Sequence, residues 1–321
     1  MSKGALVISL DFELVWGVFD HVDIIDKVSY FNTTLLTIPK MIALFEKKSI
    51  HVTWATVGML FNENWDEWHC NIPLLLPTYD RTSLNPYDYG TQHRKSNLDS
   101  FFFAPNLIKD LQSIKDQELA THTYSHYYCL EKGQTVAQFE VDLKQAIVIA
   151  KKFDISLKSL VFPRNQFNKD YLAVCSKYHI ETVRTNPENW YWDVSKPSTF
   201  LTKIVRSGDA YLPLGTKSYS TDTLISEAVV CQPASRFFRP QHRVGLLNSA
   251  RVLRIKNEMI NAAKHGEVYH LWWHPHNFGI DSIGALKALT SILETFTYCK
   301  EVYGMESLTM KELKESCFGL R

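Results

Sequence analysis

Two carboxylates stand at the end of the first apolar run of the chain. Residues 5–10 (ALVISL) are apolar and β-prone, and Asp11 and Glu13 follow with one residue between them. Because successive side chains of a strand alternate, both carboxylates point to the same side. One could bind a metal ion while the other removes a proton as a general base. An acidic pair at a strand end also serves as a loop hydrogen-bonding device, and that alternative is open at this point.

The segment HTYSH contains the histidine pair His122 and His126. Histidines four apart lie on one face of a helical turn and can both reach one cation. Imidazole suits zinc and its neighbours. The pair follows a candidate strand, where a barrel keeps its chemistry. The alternative is two unrelated surface histidines.

The segment HLWWHPH, residues 270–276, ends the last strong apolar run. Strand alternation places His270, Trp272 and His274 on one side, with His274 at the predicted mouth of the site. A histidine there could protonate a leaving amine, since an unperturbed imidazole titrates near neutral pH. The alternative is a structural histidine beneath aromatic side chains. We expect Trp272 and His276 to contact a substrate.

Three residues could complete such a site. Arg164, in VFPRNQ, closes another predicted strand, and a guanidinium there could hold a carboxylate base in place and keep it ionised. Trp190 and Asp193, in ENWYWD, could supply an apolar wall and a polar contact for a substrate. Core packing is the alternative role for Trp190.

The elements that must position these residues alternate between strand and helix. We predict strands at 5–10, 51–58, 118–121, 159–162, 181–184 and 267–273, and helices at 34–48, 105–115, 135–152, 168–178, 246–264 and 282–298. This rhythm predicts an α/β fold with a barrel-like parallel sheet, whose active site lies at the C-terminal strand ends. A single domain is expected over 1–321. Its long insertion at 62–105 is either a substrate-facing lid or a connection that packs its own aromatic side chains.

The composition excludes several classes of protein. Lys and Arg number 35 against 34 Asp and Glu, so there is no overall electrostatic attraction to nucleic acid or an anionic membrane. No run of about 18 apolar residues predicts a transmembrane helix. The first apolar run reaches Asp11 too early for a signal peptide, and the six cysteines lack CxxC spacing, so we expect a cytoplasmic protein with reduced thiols. Neither a GxSxG serine-hydrolase elbow nor a phosphate-binding loop occurs.

Taken in order, these segments resemble the polysaccharide deacetylase family, also called the NodB-homology group or carbohydrate esterase family four. SLDFE at 9–13 resembles the family's TFDDG, and HTYSH at 122–126 matches its His-Ser/Thr-x-x-His at every position. WATVG at 54–58 resembles the family's third-strand Phe-Phe-x-x-Gly, and QELAT at 117–121 resembles its strand that leads into the histidine pair. WWH at 272–274 resembles the family's Leu-x-His less closely.

The resemblance implies a distorted (β/α) barrel of seven or eight strands and a metal-dependent mechanism. The ligands would be Glu13, His122 and His126, and the ion a divalent metal, by expectation zinc. Asp11 would be the base, kept ionised by Arg164, and His274 the acid. Two departures matter: the adjacent Asp-Asp of the family is Asp-Phe-Glu here, and the arginine motif is shifted. As an alternative, Asp11 is the third ligand and another group is the base.

The expected reaction is removal of an N-acetyl group from an amino sugar. The substrate would be a glycan, a nucleotide sugar or a lipid-linked saccharide, by expectation in the biosynthesis of a surface polysaccharide such as lipopolysaccharide. A deformylase or other amide hydrolase is the first alternative. A catalytically silent carbohydrate-binding relative is the second, because the first motif is altered.

Overall fold

The computed structural model of the chain describes residues 3–187, 190–192, 199–200, 202, 205, 208–211, 215, 217–225, 228–242 and 244–319. The strands, numbered β1 to β9 in chain order, are Ala5–Phe12, Val52–Thr56, Gln117–Thr121, Ser159–Val161, Thr182–Thr185, Val230–Pro233, Arg236–Phe237, Val268–Trp273 and Glu306–Leu308. The α-helices of the described residues, numbered α1 to α9, are Val28–Lys48, Trp65–Cys70, Pro86–His93, Pro105–Ser113, Val136–Lys151, Lys169–Lys177, Gly245–His265, Ser282–Tyr303 and Met310–Phe318.

The strands form one sheet in the order β6-β5-β4-β3-β2-β1-β8-β7, with β9 also paired to β1. Every ladder between these strands is parallel. The eight strands of the main path curl into a half-barrel surrounded by helices, which confirms the predicted barrel. All C-terminal strand ends therefore open on one rim, where such folds carry their chemistry.

Strand β1 lies at the centre of this arrangement. All eight of its residues are buried, as expected for a parallel strand covered on both faces. Its register pairs Asp11 with Ala55 of β2, and Leu10 with Trp273 of β8. Asp11, near the end of β1, and Glu13, just after it, are thus held beside the ends of β2 and β8.

The insertion at 62–105 packs aromatic side chains against Trp16, which lies just after β1. The Trp16 and Trp68 rings are stacked with centroids 6.3 Å apart. Trp16 Nε1 also donates a hydrogen bond to the carbonyl of Phe102 at 2.8 Å. The insertion thereby supports the loop that carries Glu13. Within the described part of the chain, no helix is both long and apolar enough to cross a bilayer.

Candidate metal centre and active site

Glu13 lies at the centre of a cluster of histidines above the sheet. Its Oε2 is 3.2 Å from His122 Nε2 and 3.1 Å from His126 Nε2. Each of these three side chains is at most 3% exposed. The three donor atoms converge within the span of one metal coordination sphere, as the motifs predict.

The histidine pair is carried by a loop, which corrects the helical turn expected from its spacing. The segment leaves β3 directly, and Thr123 and His126 adopt left-handed backbone angles, with φ of 66° and 58°. Two left-handed residues bend the chain back so that both imidazoles meet the same carboxylate oxygen. Such conformations are strained for residues other than glycine and need support from their surroundings.

Asp142 of α5 supplies that support. Its Oδ1 accepts a hydrogen bond from Tyr124 N at 2.7 Å, and its Oδ2 accepts from Ser125 N at 3.1 Å and from the Ser125 hydroxyl. Burial raises the pKa of Asp142 to about 7 against the opposing effect of these donors. A single side chain thus fixes the backbone between the two histidines.

The hydrogen bond of His122 decides which of its nitrogens faces Glu13. His122 Nδ1 lies 2.7 Å from the carbonyl oxygen of Val161, which can only accept, so Nδ1 carries the proton. Nε2 is then the ring nitrogen that faces the Glu13 carboxylate, and in its unprotonated form it presents a lone pair to Oε2. Two acceptors facing each other at 3.2 Å suit a cation placed between them. The residues present therefore fit a metal ion.

Gly17 leaves the space in which the Glu13 carboxylate lies. A Cβ atom at position 17 would stand 1.9 Å from Glu13 Cδ and 2.1 Å from its Oε1. No side chain can be accommodated there without moving Glu13. Burial raises the pKa of Glu13, but the imidazoles around it, His274 foremost, outweigh burial and hold its pKa well below the ordinary value.

Asp11 is held by Arg184, a residue of β5. Arg184 Nη1 and Nη2 donate to Asp11 Oδ1 and Oδ2 at 2.6 and 2.7 Å. Both side chains are almost fully buried. Burial raises the pKa of Asp11, but the charge of Arg184 more than compensates, so the pKa is lowered and the carboxylate stays ionised.

The prediction that Arg164 contacts Asp11 is wrong. Arg164 has a φ of 55°, and its guanidinium donates to Asp20 at 2.5 Å and to Glu131 at 3.1 Å. It also lies over the Tyr128 ring, 4.1 Å from the centroid. The turn at the end of β4 directs the side chain to these acids, so Arg184 occupies the role expected of Arg164.

A buried chain of hydrogen bonds continues behind Arg184. Its Nη1 donates to Ser9 Oγ at 3.1 Å, and Ser9 Oγ lies 2.8 Å from His270 Nε2. Burial lowers the pKa of His270 to about 3, so the ring is neutral and can accept from the serine hydroxyl. His270 thus faces the interior and not the mouth of the site.

His274 and His276 stand on the other side of the carboxylates. His274 Nε2 lies 3.7 Å from Asp11 Oδ2 and 3.6 Å from Glu13 Oε1, and its side chain is 24% exposed. The two imidazoles stack with centroids 5.0 Å apart. Burial lowers the pKa of His276 to about 3, whereas His274 alone of the pair reaches solvent. Asp11, Glu13, His122, His126 and His274 are therefore brought together as the sequence suggested.

Trp272 forms a wall of the site. Its ring covers the Arg184 guanidinium at 4.2 Å and meets His274 edge-on at 5.6 Å. Beside it lies a small cavity of about 20 Å³, lined also by Phe237, Asp209 and Arg236. Asp193 and the side chain of Trp190 lie outside the described residues.

Sequence reasoning missed Arg184, Asp142 and Gly17. An arginine inside the apolar strand TVRT is a signal in itself, because a charged side chain is almost never fully buried without a partner. No comparable local signal marks Asp142 or Gly17, whose roles depend on segments distant in the sequence.

Solved structures similar to this one identify its fold, although sequence comparison does not. No protein-family model matches the sequence, and no curated protein matches it significantly. Among solved structures, a protein of Mycobacterium smegmatis assigned to the polysaccharide deacetylases superimposes with a TM-score of 0.63 at 12% identity, covering 98% of this chain and 90% of that one. A Pseudomonas aeruginosa PAO1 protein with the same assignment gives 0.58 at 8% identity, covering 100% and 93%.

A third similar structure is Puue allantoinase, with a TM-score of 0.60 at 9% identity and coverage of 100% of this chain and 93% of that one. At such identities the likeness establishes the fold. The chain therefore has the NodB-homology fold of the polysaccharide deacetylases, as its motifs imply.

Proposed function

We propose that this chain is a metal-dependent hydrolase that removes an N-acetyl group from an amino sugar. The observation that carries the proposal is the convergence of Glu13, two histidines and the paired Asp11 at one strand edge, with His274 within 4 Å of both carboxylates. A ligand set, an ionised base and an exposed proton carrier are the three parts that hydrolysis of an amide needs.

Glu13, His122 and His126 would hold the metal ion. All three are buried, and the lone pair of His122 Nε2 is directed at Glu13 by the bond from Nδ1 to Val161. A divalent ion there would polarise the acyl carbonyl and make water more acidic. Its expected identity is zinc, because two of the three ligands are imidazoles.

Asp11 would take the proton from the attacking water. The water oxygen then forms a bond to the acyl carbon, and the bond from that carbon to the sugar nitrogen breaks. Arg184 keeps Asp11 charged and fixes both of its oxygens, so that the base neither rotates nor protonates early. General-base help of this kind is typically worth ~10²–10⁴ in rate.

His274 would donate a proton to the departing amine, which leaves as the free amino sugar while the acyl group leaves as acetate. Its position between solvent and the two carboxylates suits a group that must be reloaded with protons in each turnover. In this arrangement the base and the acid stand on different elements, β1 and the end of β8.

The saccharide would lie against Trp272, beside His274. An indole face stacks readily on a sugar ring. The substrate class proposed is a glycan, a nucleotide sugar or a lipid-linked saccharide that carries an N-acetyl group.

A second candidate function is hydrolysis of a different amide, such as an N-formyl group or a small cyclic amide. The similarity in fold to an allantoinase is the observation that favours it. A catalytically silent carbohydrate-binding protein is the remaining alternative.

The test compares three forms of the protein on a panel of N-acetylated and N-formylated sugars and nucleotide sugars. Acetate release, formate release and bound metal are measured for the wild type, His126→Ala and Asp11→Asn. We expect His126→Ala to lose metal and turnover, and Asp11→Asn to keep its metal and lose turnover. Formate release alone supports the deformylase, and bound metal without release of any acid supports the silent relative. Full activity in both variants contradicts the mechanism.

A further inference from the structure

The two oxygens of Glu13 face different pairs of histidines. Oε2 faces His122 and His126, whereas Oε1 is 3.6 Å from His274 Nε2 and 3.8 Å from His276 Nδ1. The donor atoms of Glu13, His274 and His276 all lie within 4.8 Å of one another. A second set of three possible metal ligands therefore shares its carboxylate with the first.

His276 gives an independent sign that this side of Glu13 takes a ligand. Its side chain is 5% exposed, and its Nδ1 is buried with no hydrogen-bond partner among the described residues. A buried nitrogen without a partner is unfavourable, and such groups in folded proteins usually meet a partner, a water or an ion. This nitrogen is aimed at Glu13 Oε1, which is the free oxygen of the carboxylate.

We propose that a second divalent cation binds between Glu13, His274 and His276, so that Glu13 bridges two ions. Carboxylates that bridge ions ~3.5–4 Å apart are a feature of two-metal hydrolytic sites. Two imidazoles and one carboxylate oxygen form a donor set that suits zinc and its neighbours. The site is new relative to the three-ligand set above, which uses only the other oxygen.

The second ion binds more weakly than the first. It shares one negative charge with an ion already present, and two like charges a few ångströms apart repel strongly. The remaining carboxylate nearby, Asp11, is neutralised by Arg184. We expect an affinity at least about tenfold lower than that of the first site.

Occupancy of this second site removes the acid from the reaction. An ion on His274 Nε2 occupies the lone pair that must carry the proton to the leaving amine. Activity therefore rises as the first ion binds and falls as the second follows. This consequence rests on the proposed function, whereas the site itself rests only on the donor atoms.

The experiment titrates Zn²⁺ alone into metal-free protein and measures bound zinc per chain by calorimetry and elemental analysis, without substrate. We expect two ions for the wild type and one for His276→Gln. The matched control is His51→Gln, which alters a separate cluster of His51, Asp116 and Glu312 that could also hold a metal. This control keeps both ions if the second one lies at Glu13.

Three results would overturn the proposal: one ion per chain in the wild type at saturating zinc, two ions in His276→Gln, or loss of one ion in His51→Gln. The wild type loaded with Mn²⁺ provides a test that needs no variant. Two ions that share Glu13 give an exchange-coupled electron paramagnetic resonance spectrum, and two uncoupled ions contradict the site. If the protein binds two coupled ions but hydrolyses no substrate, the second metal site is supported and the proposed function is contradicted. If the protein is active but binds only one ion, the proposed function is supported and the second site is contradicted.

Discussion

Arg184 donates from both terminal nitrogens of its guanidinium to the two carboxylate oxygens of Asp11, at 2.6 and 2.7 Å, across the interior of the half-barrel. Strands β2, β3 and β4 lie between the strands that carry them. The pair is therefore a contact made by sheet curvature and not by neighbouring strands. It fixes the charge and the orientation of the proposed base.

Replacing Arg184 by Gln should lower turnover by roughly 10²-fold, because the base loses the cation that keeps it ionised. The pKa of Asp11 rises in this variant, since burial then acts without opposition from Arg184. The loss is consequently largest at low pH and shrinks as pH rises. Turnover measured as a function of pH checks this prediction. Arg164→Gln is the control, and its turnover should fall at the same low pH as that of the wild type. An equal loss at every pH contradicts the assignment.

Substituting Gly17 by Ala should weaken zinc binding by about tenfold or more, since ligand geometry is sensitive to its immediate support. The new methyl group would overlap the Glu13 carboxylate, so Glu13 must turn away from His122 and His126. Competition with a chelator measures the affinity. Gly245→Ala is the matched control, because nothing lies within 4 Å of a Cβ at that position. Wild-type affinity in Gly17→Ala would show that Glu13 is not a ligand.

The Asp142→Asn variant should lose ~1–3 kcal/mol of stability and bind metal less tightly, since an amide group then faces backbone donors. Asp142 accepts from Tyr124 and Ser125, which lie between the two histidines. Denaturant unfolding and chelator competition report the two effects. Glu140→Gln, on the same helix but bonded to Lys177, is the control. A loss of stability with unchanged metal affinity would limit Asp142 to a structural role.

The ion pair of His51 and Glu312 should make stability depend on pH. The hydrogen bond to Glu312 raises the pKa of His51 above its ordinary value of 6.5. A histidine whose pKa is raised by folding stabilises the folded state fully when the pH is below its pKa in the unfolded chain. This stabilisation is lost as the pH rises through its pKa in the folded protein. His51→Gln should thus cost about 1 kcal/mol near pH 6 and little near pH 9. The free energy of unfolding, measured with a chemical denaturant at both pH values, tests this prediction, and His69→Gln at an exposed position is the control. A destabilisation of His51→Gln that is the same at both pH values would contradict it.

The features predicted best from the sequence are those that depend on residues close together in the chain. Alternation along β1 placed Asp11 and Glu13 on one side, and the spacing of His122 and His126 marked them as a pair. Their backbone was mispredicted, because the left-handed angles at Thr123 and His126 depend on Asp142, which lies on a later helix.

The partner of Asp11 was beyond the reach of sequence patterns for a different reason. Arg164 and Arg184 each lie at or near the end of a strand, and only the curvature of the sheet and the turn after β4 distinguish them. Curvature is a property of the whole sheet, so no window of residues encodes it. The buried arginine of β5 was the available hint.

The hydrogen bond between Ser9 and His270 joins residues 261 positions apart in the chain. Contacts this distant form slowly, because a long loop must close before the contact contributes any stability. The first and last parts of the chain must therefore meet before His270 and His274 take their places beside Ser9 and Asp11. During refolding, His274 should therefore take its place beside Asp11 and Glu13 in the slowest phase, after most helices have formed.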